Sequence, residues 1–159
     1  MITDEQRQIA ELEAHCRQVN HTVSGHRDNQ ADPAGASGEE QHRKGLLGEL
    51  EFANVFGVQP DLDYRPRGDG GADYRLTLCS GKVITVDVKT SSYRGPDARI
   101  KVPVGKIHAE TVYVAARVCA NFLETSDDAE LVGWITGAEL LARNEIRQYT
   151  RIANYTAPV

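Results

Sequence analysis

Asp73, Asp87 and Lys89 are the residues whose types and spacing most directly suggest chemistry. Asp73 opens a strand-like run, a Ser80-Gly81 turn follows, and a second run ends in Asp87-Val88-Lys89. A hairpin of this kind gathers two carboxylates and an ammonium near one end. Hard divalent cations take carboxylate oxygens and keep several of their waters. A neighbouring lysine can orient such a water, or hold charge that builds on phosphate oxygens. The three residues are therefore a minimum set for metal-assisted cleavage of a phosphodiester. Strand alternation puts Asp87 and Lys89 on one face and Val88 on the other, and the Val88 carbonyl is a further candidate oxygen ligand. Asp69 is a competing acid, but Asp69-Gly70-Gly71 reads equally as a turn. Asp73 is preferred because it directly precedes the strand, so the hairpin fixes its position relative to Asp87.

A third acid comes from a helix. The spacing predicts a helix from Glu39 to Phe56, closed by Gly57. Its apolar positions are Leu46, Leu47, Leu50, Ala53 and Phe56. On a helical wheel Glu49 falls about −60° from Leu46, inside the apolar face, and Glu51 about +140°, outside it. The sequence thus predicts Glu49 inward and Glu51 outward. A carboxylate on a core-facing stripe is costly unless it is paired, protonated or bound to a cation. A buried ion pair with Arg or Lys, or a rim position reaching water, are the alternatives.

The elements that must position these groups read as α/β. A helix over residues 3–20 begins at a Thr3/Gln6 capping box, with a narrow stripe of Ile9, Leu12, Cys16 and Val19. That stripe suits a docked rim helix or a second subunit. Residues 24–39, rich in Gly, Ser, Asp and Pro, read as a loop or linker. Strands are expected over 72–78, 82–89, 98–104, 111–118 and 131–136. Val83, Ile84, Val86 and Val88 are apolar on both faces, as in a covered central strand. A last helix is expected from Gly137 to about Gln148, and the tail from Tyr149 is ambiguous. The division is an N-terminal helix (1–23), a linker (24–39) and a core domain (40–159).

Together, Gly45-Leu46-Leu47-Gly48-Glu49 on a helix, Asp73, thirteen intervening residues and Asp87-Val88-Lys89 resemble the PD-(D/E)XK nuclease superfamily. The resemblance covers about residues 43 to 140 and rests on a few residues and their order. Ala72 stands where the family usually has proline. The resemblance implies a mixed central β-sheet flanked by helices, restriction-endonuclease-like. It implies that Asp73, Asp87 and the Val88 carbonyl bind Mg²⁺, with Mn²⁺ able to substitute. Glu49 would bind the metal or orient its water, and Lys89 would position the attacking water and steady transition-state charge. The expected activity is a divalent-metal-dependent deoxyribonuclease of repair, recombination or phage type. The alternative is a non-catalytic nucleic-acid-binding or assembly module with the same fold.

Charge distribution agrees with an anionic partner at one place only. Net charge is −5, which argues against coating DNA by bulk electrostatics. Between Lys89 and His108, however, Arg94, Arg99, Lys101 and Lys106 face one acid, Asp97. With Tyr93, Arg65 and Arg67 these are the candidate DNA-backbone contacts; an ordinary solvated loop is the plain alternative. Partner proteins, or a homodimer through the first helix, are compatible with the layout. Cys16, Cys79 and Cys119 are widely spaced, giving neither a zinc pattern nor a disulfide framework. Cys79 and Cys119 are expected to be buried thiols. No apolar run has membrane-span length and no basic-then-apolar leader is visible, so a cytoplasmic location is expected.

Overall fold

The computed structural model describes residues 1–23, 37–62, 72–91, 99–120, 127–149 and 152–158. The elements are α1 (Asp4–Val23), α2 (Gly38–Phe56), β1 (Tyr74–Thr77), β2 (Val83–Ser91), β3 (Arg99–Pro103), β4 (Thr111–Ala120), β5 (Asp127–Thr136), α3 (Gly137–Arg143), β6 (Ile146–Tyr149) and β7 (Ile152–Pro158). A 3-10 turn, Val104–Lys106, follows β3. Among the described residues no helix is long and apolar enough to cross a membrane.

The main sheet has the order β1-β2-β4-β5. The β2–β4 pair is parallel and the β1–β2 and β4–β5 pairs are antiparallel, so the sheet is mixed. A parallel pair needs a crossover, and this one carries β3. On one face α2 lays Phe52 and Ala53 over Val86, Val88, Val114 and Ala116. On the other, a second sheet of order β3-β7-β6 and the short α3 pack Ile100, Val102, Ala157 and Leu140 around Tyr113, Ala115 and Ile135. The expectation that β2 is apolar on both faces is corrected: Ile84, Val86 and Val88 all face α2, whereas the other face carries Thr85, Asp87 and Lys89, and Val83 on it is 59% exposed.

The helix over the sheet sits close because of one glycine. A Cβ on Gly48 would lie 2.1 Å from Thr90 Oγ1 and 3.0 Å from Ala116 Cβ. Only a residue without a side chain lets α2 approach β2 and β4 this way, and Glu49 follows it directly. The β1–β2 hairpin turns at Gly81, whose φ is 81°, with the Leu78 amide donating to Lys82 O and the Gly81 amide to Leu78 O.

Several expectations need correction. The Thr3/Gln6 box is present, but α1 docks through Ile2, Ala10 and Ala14 onto Leu46, Leu47 and Leu50. The larger stripe residues Leu12 and Val19 are 64% and 47% exposed. Alanines carry little weight in a hydrophobic pattern, yet their small size allows close helix contact. That second layer also buries the glutamate expected to face outward. Glu51 is buried and its carboxylate accepts from the Met1 ammonium at 2.8 Å, whereas Glu49 is half-buried. Reading one stripe on α2 missed that α1 covers another arc. Residues 38 and 39 are helical, since Ser37 caps α2 by accepting from the Glu40 amide; residues 24–36 of the expected linker lie outside the described residues. Cys79 is exposed at the hairpin turn. Finally, α3 stops at Arg143 because Asn144 takes a left-handed φ of 50°. The residues beyond, and the tail, form β6 and β7.

Candidate functional site

The site is built at the end of the β1–β2 hairpin. Asp73 precedes β1 and extends the pairing by one step: its amide donates to Val86 O at 2.8 Å. Its carboxylate Oδ2 accepts from the Val88 amide at 2.6 Å, taking the place of a strand carbonyl where β1 has ended. In an extended strand the N–H and C=O of one residue leave by the same edge. The Val88 carbonyl therefore faces the edge that Asp73 occupies, while the Val88 side chain packs into the core against α2.

One step along β2, Asp87 is 5% exposed and its Oδ1 lies 2.6 Å from Lys89 Nζ. The two therefore share a strand face. Tyr113 is opposite Asp87 in the parallel β2–β4 register. Its fully buried ring presents a hydroxyl that accepts from the His108 amide at 2.9 Å and donates to Lys106 O at 3.4 Å. Burial raises the Tyr113 hydroxyl above its ordinary value, the Asp87 charge adds to this, and Lys89 opposes it.

Glu49 reaches the same neighbourhood from α2. The Tyr74 hydroxyl donates to the Glu49 backbone carbonyl at 2.6 Å, and the Tyr74 ring lies 4.8 Å from the Phe52 ring. This tyrosine fixes α2 against β1 beside the Asp73 edge. Sequence reasoning passed over it, although alternation from Asp73 and the need of a buried tyrosine for a hydroxyl partner would have pointed to it.

Electrostatics shows how closely these groups are gathered. Burial pushes the Asp73 carboxyl from an ordinary 3.8 up to about 9, with the Glu49 and Asp87 charges adding to the rise; the Val88 amide and Lys89 pull the other way. Burial, then Glu49 and Asp73, likewise raise Tyr74. The chain thus brings Glu49, Asp73, Asp87 and Lys89 into one field. Comparison with models of protein families, with curated proteins and with solved structures finds no match to this chain. Among the described residues no three His, Cys, Asp or Glu side chains form a metal-binding group. The acids interact through charge, while Asp73 is turned onto Val88 and Asp87 onto Lys89.

The proposed backbone-contact residues divide. Arg99 is occupied: its guanidinium pairs with Glu145 and its Nε donates to Thr156 Oγ1 at 3.2 Å. It ties β3 to β7 and the turn before β6, and is not free for a phosphate. A run of basic residues in sequence gives no hint of such pairing, because Glu145 is distant along the chain. Lys101 is exposed, with Nζ 4.2 Å from the Tyr149 ring centre, and Lys106 is exposed on the 3-10 turn. Arg65, Arg67, Tyr93 and Arg94, like Asp69, lie outside the described residues. Beside Asp73 an open cleft of about 550 Å³ runs along β1, with Val58 and Asp61 from the segment after α2 and Arg75 from the strand.

Proposed function

We propose that this chain is a divalent-metal-dependent deoxyribonuclease with a restriction-endonuclease-like fold, acting in the cytoplasm in repair, recombination or a phage-type role. One observation carries the reading: a half-buried Asp73 whose carboxyl sits in the shared field of Glu49 and Asp87, at a strand edge that also carries the Val88 carbonyl and lies beside Lys89. Buried acids in a common field need counter-charge, and their oxygens are the hard donors that Mg²⁺ or Mn²⁺ takes. Asp73, Asp87, Glu49 and the Val88 carbonyl would hold the ion. When bound, such an ion supplies Lewis acidity to a phosphate oxygen and lowers the pKa of a coordinated water.

The residues of the chain supply the rest. Lys89 stands on a flexible stem beside Asp87, so its ammonium is within reach of a phosphate oxygen at the same face and would steady charge there as the P–O bond to the leaving oxygen breaks. Tyr74 keeps Glu49 at the Asp73 edge. The test is incubation of supercoiled, linear and single-stranded DNA with Mg²⁺, Mn²⁺ or EDTA. Metal-dependent cutting supports the reading, and nicking of circles against erosion of linear ends separates endonuclease from exonuclease action. No cutting of any form by folded protein contradicts it.

A second reading has its own observation. Asp73 and Asp87 each already have a protein partner, at 2.6 Å in both cases. A binding or assembly module with this fold, whose acids only hold the hairpin together, would have the same pairs. It differs in that divalent metal would leave the melting temperature unchanged, since only a ligand preferring the folded state stabilises it.

A further inference from the structure

We infer that Arg75 binds the backbone phosphate next to the scissile one, on a DNA strand lying in the cleft along β1. The inference rests on the nuclease reading and names a residue which that reading does not use. Among the described residues, Arg75 is the one cation lining the cleft. It is exposed, and no described carboxylate pairs with it, whereas Arg7, Arg43, Arg99, Arg117 and Arg147 each hold one. An exposed guanidinium that pairs with no acid among the described residues can take a ligand, and its planar fork suits phosphate oxygens.

Placement gives the register. Asp73 lies two residues before Arg75, and Arg75 is opposite Thr85 in the β1–β2 register, so its side chain leaves the face that Asp87 and Lys89 share on β2, while Tyr74 points to α2. Two strand residues span about 7 Å, comparable with the separation of successive phosphates on an extended nucleic-acid strand. A phosphate at the Asp73–Asp87–Lys89 group therefore sets its neighbour near Arg75. Among the described residues β1 is the outer strand of its sheet, so a chain could lie alongside that edge. The cleft also carries Asp61, whose charge would keep the phosphates on the Arg75 side by repulsion.

The test compares wild type, Arg75→Ala and Arg75→Lys in steady-state cleavage, using whichever DNA form wild type cuts with Mg²⁺, between about 50 and about 200 mM KCl. Arg75 is exposed, so both variants are expected to keep the wild-type melting temperature. For Arg75→Ala, KM is expected to rise about tenfold with kcat changed less than about threefold, as for a lost charged phosphate contact. The salt dependence of log(kcat/KM) should flatten by about 0.7 to 0.9, with Arg75→Lys intermediate. Unchanged KM and salt slope, while wild type cuts, overturns the assignment and leaves the nuclease reading standing. A collapse of kcat at constant KM also overturns it, placing Arg75 in the chemistry. If wild type cuts no DNA form with either metal, the nuclease reading fails and this assignment fails with it.

Discussion

At the scale of the residue, Asp73 is where burial and charge conflict most. Its carboxyl is raised to about 9, so the folded protein holds a proton there that the unfolded chain releases near 3.8. Stability from such a group is fully present below the unfolded value and is lost as pH rises toward 9. Asp73→Asn removes the titration while keeping an oxygen for the Val88 amide. In metal-free protein the variant is expected to melt higher than wild type, by a margin that grows between about pH 4 and about pH 9. Thermal scans across that range check it; a constant or reversed margin would contradict the assigned burial. Tyr74→Phe keeps the ring on Phe52 but loses the bond to Glu49. It is expected to cost about 1 kcal/mol of stability and to lower kcat more than it raises KM. The acids and lysine were legible in the sequence because strand alternation and one turn fix their relations over a short span. The occupancy of Arg99 was not, since Glu145 and Thr156 reach it only through the second sheet.

At the scale of the element, the fit of α2 on the sheet is the feature that sets Glu49. Gly48→Ala would drive a methyl to 2.1 Å from Thr90 Oγ1. It is expected to destabilise by about 1–3 kcal/mol, the usual cost of overpacking. Thr90→Ala removes the nearest atom, so the double variant should recover much of the loss, a coupling that a double-mutant cycle in denaturant measures. Strict additivity would contradict the contact. Gly137→Ala offers no such relief, because its Cβ would lie 1.9 Å from the His108 backbone carbonyl. Of the elements, α2 and the strands of the main sheet were legible, as their apolar periods are long. The end of α3 was hidden because Leu140 to Ile146 keeps an apolar spacing past Asn144. The docking face of α1 was hidden because Ala10 and Ala14 carry the contact while larger apolar residues face outward.

At the scale of the whole molecule, an acidic chain is proposed to act on an acidic polymer, which requires charge to be arranged locally. The Glu49 and Asp87 charges beside Asp73 would repel DNA without a cation, so metal and substrate should bind together. Mn²⁺ is expected to raise the melting temperature of wild type, with a smaller rise in Asp87→Asn; equal shifts would place the ion elsewhere. The mixed central sheet was expected only through the resemblance carried by Glu49, Asp73, Asp87 and Lys89, and the sheet is mixed. The second sheet could not be read, because β6 is short, β7 is polar at alternate positions, and β7 is held by pairing with β3 across a long stretch of chain and in turn pairs β6. The central claim is that acids from α2, β1 and β2 act as one metal-dependent site. Single-turnover DNA cleavage with Mn²⁺, comparing wild type with Glu49→Gln, Asp73→Asn and Asp87→Asn, tests it most directly. The expected result is cutting by wild type, abolished by EDTA, with a rate loss of at least about a hundredfold in each folded variant. Cutting that survives unchanged in all three would contradict the account.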